Sequence, residues 1–183
     1  MQLDSHFRMP WAHVEKLSEM EAKSMKIGII VHSQTGHTLL VGERLREKLQ
    51  SDGHEVTLLR FQNTEIPTGP QKPEDIKLDH IPDANGYDAL IFGAWVQAFN
   101  LCPGFTLYLK QIPDFDTNNV SCFLTQQFRY KWMGGGLALS KMKKRLTAKG
   151  AKINASGVIN WSNKKREQQI DDLVARFSRQ YQV

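Results

Sequence analysis

Lys26-Ile27-Gly28-Ile29-Ile30-Val31-His32-Ser33-Gln34-Thr35-Gly36-His37-Thr38 is the stretch on which the reading of this chain turns. Its first half is apolar and β-branched, short enough for one strand buried on both faces, and its second half is a polar run of hydroxyls with a glycine. Behind it, Leu40, Val41, Leu45 and Leu49 recur at helical spacing up to the stop signal Asp52-Gly53. A fully buried strand followed directly by an amphipathic helix is half of a βαβ unit, which needs a parallel sheet to close on.

The same alternation continues outward. Residues 54–61 and 88–93 read as the second and third strands, 120–125 as the fourth and 152–159 as the fifth. Residues 105–112 read as a short helix, and 135–149 as a helix with Leu139, Met142 and Leu146 inward. A last helix from about Ser162 places Ile170, Leu173, Val174, Phe177 and Tyr181 on one side. Residues 62–87 carry Pro67, Pro70, Pro73 and Pro82, so they read as a long surface connection with a helical turn near 74–78. The class is α/β, a doubly wound parallel sheet with helices on both faces.

Ligands of such sheets bind beyond the carboxyl ends of the strands, where the winding reverses. Three loops therefore matter. The first, Ser33 to Thr38, offers backbone N–H groups and the positive end of a helix dipole to an anion. It has no lysine and neither GxxxxGK[ST] nor GxGxxG spacing, so a monophosphate held by neutral donors suits it better than a magnesium-bound triphosphate. The second, residues 93–101, sets Trp95 and Phe99 where a flat, partly apolar ring could gain stacking. The third, residues 125–136, combines Thr125, Gln126, Gln127 and Tyr130 with Gly134, Gly135 and Gly136, polar groups and close-approach backbone together.

Residues 26–38 resemble the opening of flavodoxins, in which a buried strand leads into a Ser/Thr-x-Thr-Gly-x-Thr loop that holds the phosphate of FMN. Ser33, Thr35, Gly36 and Thr38 match that pattern, and Gln34 and His37 stand at its variable positions, where backbone N–H groups do the binding. The resemblance implies a five-stranded parallel sheet of order 2-1-3-4-5 in three layers, with FMN as cofactor. It implies ring contacts from Ala94, Trp95, Val96, Gln97, Ala98 and Phe99 in the second loop. It adds Thr125, Gln126, Gln127, Tyr130, Gly134 and Gly135 in the third. It covers residues 25–183 in element order, with no insertion in the fifth strand, and so looks short-chain. Residues 1–24 have no counterpart and read as an N-terminal extension, helical around 12–23.

The resemblance implies electron transfer to a redox partner protein or a small-molecule acceptor. Oxidation of NAD(P)H by an FMN enzyme that reduces a quinone or similar acceptor is the alternative, and the oligomeric state is open. Since the flavin carries the chemistry, no residue is required as acid, base or nucleophile. Carrier flavodoxins are acidic, whereas this chain is +5 with a pI near 9.2. Arg129 and Lys131 fall in the third loop, where a cation would favour reduced, anionic FMN.

The 183 residues suit one domain, and a mean hydropathy of -0.44 is that of an ordinary water-soluble chain. No apolar stretch approaches the roughly 20 residues of a membrane span. Asp4, Glu15, Glu19 and Glu21 interrupt the first 24 residues as no signal peptide allows, so a cytoplasmic location is expected. The basic residues lie scattered over helix faces, which argues against nucleic acid. Cys102 and Cys122 are too few and too widely separated for a cluster or a zinc site, and both read as inert thiols.

Overall fold

The structure is a computed structural model that describes residues 24–65 and 72–182. The expected N-terminal extension lies outside the described residues except for Ser24, as does part of the connection between the second and third strands. The element order is β1 (Lys26–His32), α1 (His37–Ser51), β2 (Glu55–Phe61), a 3-10 turn (Pro73–Asp75), β3 (Ala89–Gln97), β4 (Asn100–Leu101), α2 (Pro103–Gln111), β5 (Asn119–Gln126), α3 (Gly135–Thr147), β6 (Lys152–Asn160) and α4 (Arg166–Tyr181).

Five strands form a parallel sheet in the order β2-β1-β3-β5-β6, and β4 pairs antiparallel with the end of β3. This is the expected order, with one short strand added. Alternation along the central strands divides their side chains between two cores. Ile30, Leu90, Phe92 and Leu124 point to one side, where Phe105, Tyr108, Met142 and Leu146 of α2 and α3 cover them. Ile27, Ile29, Val31, Ile91 and Phe123 point to the other, under Val41, Leu45 and Leu49 of α1 and Ile170, Leu173 and Phe177 of α4. A hydrogen bond of 2.8 Å between Tyr181 and Ser121 ties the end of α4 to the middle of β5.

Several boundaries differ from the sequence reading. Leu40 is exposed, because the inner face of α1 runs through Thr38, Val41, Gly42, Leu45 and Leu49. Val174 is only half-buried. Helix α2 begins at Pro103, which serves as a first-turn residue without an N–H to satisfy, and α4 begins at Arg166 after a turn. The largest difference is in β3, which runs on to Gln97, so Ala94, Trp95, Val96 and Gln97 belong to a strand rather than a loop. Only Ala98 and Phe99 connect it to β4, both with positive φ (47° and 61°). A two-residue hairpin of that backbone type normally carries Asn-Gly or Asp-Gly, so Ala-Phe sent no turn signal.

The sheet is close-packed at β3. A Cβ on Gly93 would meet the Phe123 ring at 2.4 Å and Val31 Cγ1 at 2.8 Å, both fully buried. Gly93→Ala should therefore destabilise the fold by about 1–3 kcal/mol, seen in urea as a lower unfolding midpoint at unchanged slope. An unchanged midpoint would show that Phe123 yields freely.

Candidate functional site

At the carboxyl edge of the sheet, the ends of β1, β3 and β5 border a cleft of about 370 Å³. Gln34, Thr35, His37 and Thr38 line it from the first loop, Trp95, Val96 and Gln97 from β3, and Thr125, Gln126 and Gln127 from the end of β5. Ten of the sequence-expected site residues thus meet in one place, of a size usual for small-molecule sites.

The first loop is shaped by bonds to β2, to Asn63 and to β5. Ser33 is buried, its N–H donates to Phe61 O, and its Oγ accepts from the Leu39 N–H. Arg60 Nε donates to Ser33 O. Gln34 clasps the backbone of Asn63, donating to its carbonyl and accepting from its N–H. The hydroxyls of Thr38 and Thr125, 2.9 Å apart, join the start of α1 to the end of β5. Gly36 is the N-cap of α1 at φ 91° and has no side chain to cap it, so Ser33 Oγ on the Leu39 N–H is the side-chain acceptor that the first turn has among the described residues. Among the described residues, the N–H groups of Gln34, Thr35, Gly36, His37 and Thr38 meet no acceptor. With no acidic residue in the first turn, the positive end of the helix is uncompensated.

His37 stacks on Trp161 at 3.9 Å, with the Arg166 guanidinium over the same indole. Partial burial and, secondarily, the charge of Arg166 hold its pKa below the ordinary imidazole value. The loop is consequently uncharged near neutral pH.

The second wall rests on a histidine that the sequence reading passed over. Trp95 Nε1 donates to Nδ1 of His32 (3.0 Å), so the proton of the ring sits on Nε2 and is donated to Asn63 Oδ1 (2.9 Å). The Cys102 thiol lies 3.2 Å from Nδ1. Burial pushes this thiol up to about 12, in line with an inert cysteine. His32 is 0% exposed, and burial, only partly opposed by Asn63 and Asp79, lowers its pKa to about 4. Asn63 therefore serves both the first loop and the Trp95 strand, and its place just past the end of β2 on the ligand edge was the available signal.

The remaining expected residues lie apart from the lining. Ala94 is buried in the core, and Ala98 and Phe99 form the hairpin tip. Phe99 stacks on Phe128 at 5.0 Å, so of the two expected aromatics only Trp95 lines the cleft. Gly134, at φ 104°, receives that tip, where a Cβ would come within 2.7 Å of Phe99 Cα. Gly135 starts α3 against the Gln126 side chain. Tyr130 is exposed beside Trp132, with Arg129 over its ring. Gln126 donates to Tyr130 O and Asn160 Oδ1, but its Oε1 and that of Gln97, both buried, accept nothing among the described residues. Buried acceptors without partners are uncommon, and here two belong to residues that line the cleft from β3 and β5.

No protein-family model and no curated protein matches the chain. Solved structures do. Oxidised flavodoxin 2 from Bacillus cereus is 17% identical, with 84% of this chain and 98% of that one covered at a TM-score of 0.57. A flavoprotein from Lactobacillus acidophilus in complex with FMN is 15% identical, covering 82% and 99% at 0.50. A flavo di-iron protein from Thermotoga maritima is 18% identical at 0.55, covering 93% of this chain but 39% of its own. The fold is flavodoxin-like.

The His32 network makes stability depend on pH. Its folded pKa lies below the unfolded value of 6.5, so the unfolded chain binds the extra proton first and stability falls as pH drops from about 6.5 to about 4. The full loss is roughly 3 kcal/mol by the 1.36 kcal/mol-per-unit rule. Urea unfolding of the wild type and His32→Gln at pH 7.5, 5.5 and 4.5 should show a steeper decline in the wild type. Parallel declines would place the titration elsewhere.

Proposed function

We propose that the cleft binds FMN and that the chain works as a cytoplasmic electron-transfer flavoprotein. The carrying observation is the set of unpartnered N–H groups of residues 34–38 at a helix N-terminus whose cap residue is glycine and whose first turn has no acidic side chain, which is the donor set for a phosphate. The other end of the cleft supports the same ligand, since Gln97 and Gln126 offer the buried acceptors that the N–H of a flavin ring requires. When bound, FMN supplies one- or two-electron chemistry. The chain's part is to hold the phosphate and to set Trp95 against the ring through His32. Both cysteines are unpaired, as suits a reducing compartment.

The phosphate assignment is tested on the loop. Thr35 is exposed on the cleft, and its hydroxyl to a charged phosphate is worth about 1.5–3 kcal/mol. Thr35→Val should thus weaken FMN about 10- to 100-fold. Gly36→Val, strained at φ 91°, should weaken it further. Flavin fluorescence titration reads both, and wild-type affinity in both variants would place the ligand elsewhere.

An FMN-dependent NAD(P)H oxidoreductase acting on a quinone or similar acceptor is the second reading. The exposed cations of the β5–α3 loop favour it, because they stabilise a two-electron-reduced, anionic flavin. Arg129→Glu and Lys131→Glu should lower the reduction potential at low salt and less so at high salt, since exposed charges are screened. A redox titration giving wild-type potentials at low salt would remove that support.

A further inference from the structure

One continuous segment, just over a quarter of the chain, contains no carboxylate side chain. Residues 117–166, which form β5, α3, β6 and their connections, hold eleven of the 24 Lys and Arg and none of the 19 Asp and Glu. That segment is +11 and the remainder -6, thirteen basic against nineteen acidic, beneath a net charge of only +5. The net positive charge is therefore not spread evenly, as the sequence reading expected, but concentrated in one segment.

On the sheet face covered by α2 and α3, this charge borders a second cavity, of about 630 Å³. One wall is the stripe Lys141, Lys144, Arg145 and Ala148, spaced i, i+3, i+4, i+7 along α3 and continuing past its end. Lys72 closes the opposite side, and no carboxylate lines the cavity. None of these four cations forms an ion pair with a described residue, whereas Lys149, just beyond, is paired with Asp114. Pro103 and Thr106 bring the first turn of α2 to the cavity, a helix start without acidic residue or side-chain cap. Thr106 is 6% exposed and lines the cavity. Leu101 and Pro103 add apolar surface.

Four unpaired cations, one an arginine fork, beside an uncapped helix start and a small apolar surface match a phosphate attached to an organic body. We propose that this cavity is a nucleotide site, with Lys72, Lys144 and Arg145 on the phosphates and Leu101 and Pro103 against the base or sugar. It lies back to back with the first cleft, because Leu101 and Asn100 of β4 pair with Val96 and Gln97 of β3. It does not depend on what the first cleft binds.

Calorimetric titration of the full chain tests this with ADP, pyrophosphate and uncharged adenosine as probes. ADP and pyrophosphate should bind and adenosine should not. Lys144→Glu with Arg145→Glu should weaken ADP at least tenfold. Ala148→Trp, which fills the cavity without changing charge, should weaken ADP while sparing FMN. Lys164→Glu with Lys165→Glu makes the same charge change in the same segment, away from the cavity, and should leave ADP within twofold. Equal losses in the two charge-reversal pairs would reduce the effect to the general field and overturn the site. So would undiminished ADP binding in Ala148→Trp, or no binding of ADP to the wild type. If Thr35→Val rather than the α3 variants abolished ADP binding, the probe would be occupying the first cleft, and the cavity assignment would fail while the phosphate loop stood. Thermal unfolding of each variant separates lost binding from lost fold.

Discussion

Backbone N–H groups left without acceptors at the start of α1 are the constraint around which the cleft is built. Every helix begins with such donors, and proteins normally satisfy them with a serine, threonine or aspartate cap. Here the cap position is Gly36, which has nothing to offer; the Ser33 hydroxyl takes only the Leu39 N–H, and the Thr38 hydroxyl is committed to Thr125. The loop is nonetheless held in shape, by Arg60 on the Ser33 carbonyl and by the two bonds between Gln34 and Asn63. Donors that are rigidly aimed before the ligand arrives lose little entropy when it binds, which is the basis of preorganised recognition.

The second wall is coupled to the first through one ring. His32 stands where β1 ends, and both of its nitrogens are engaged, one receiving Trp95 and the other reaching Asn63. Because Asn63 also holds Gln34, the loop after β1 and the strand that carries Trp95 share a common support rather than resting on separate parts of the core. Such a network resists rearrangement only while His32 stays neutral, and its burial maintains that state across the physiological range. The helix α2 packs directly against the ring: a Cβ on Gly104 would lie 2.6 Å from Nε2.

Period-two burial made the parallel sheet legible. Ile29 and Ile30 point to opposite cores in the structure, as an unbroken apolar run between a turn and a polar loop requires. Glycine and hydroxyls directly after such a run were enough to mark the loop that lines the cleft. The hairpin was not legible, because its turn residues are Ala98 and Phe99 and their positive φ is imposed by pairing of β4 with β3 and by the tip's seat on Gly134. His32, Asn63 and Trp161 were missed for a related reason. Each acts through a partner 29 or more residues away or across the sheet edge, and nothing local to a buried histidine distinguishes a strand end from a support.

The gathering of eleven cations on the β5–α3–β6 side, with the excess of carboxylates elsewhere, also makes the molecule a large permanent dipole. An object of this kind does not meet a charged surface at random. In low salt it turns before it touches, and on an anionic electrode, silica or a cation-exchange resin it would adsorb through the α3 side. Because Gln126 and Gln127 belong to that same segment, the mouth of the cleft would be carried toward the surface rather than away from it. Immobilisation chemistry alone would thus decide which face of the molecule meets the solution, and two supports of opposite charge would present different faces of an identical protein.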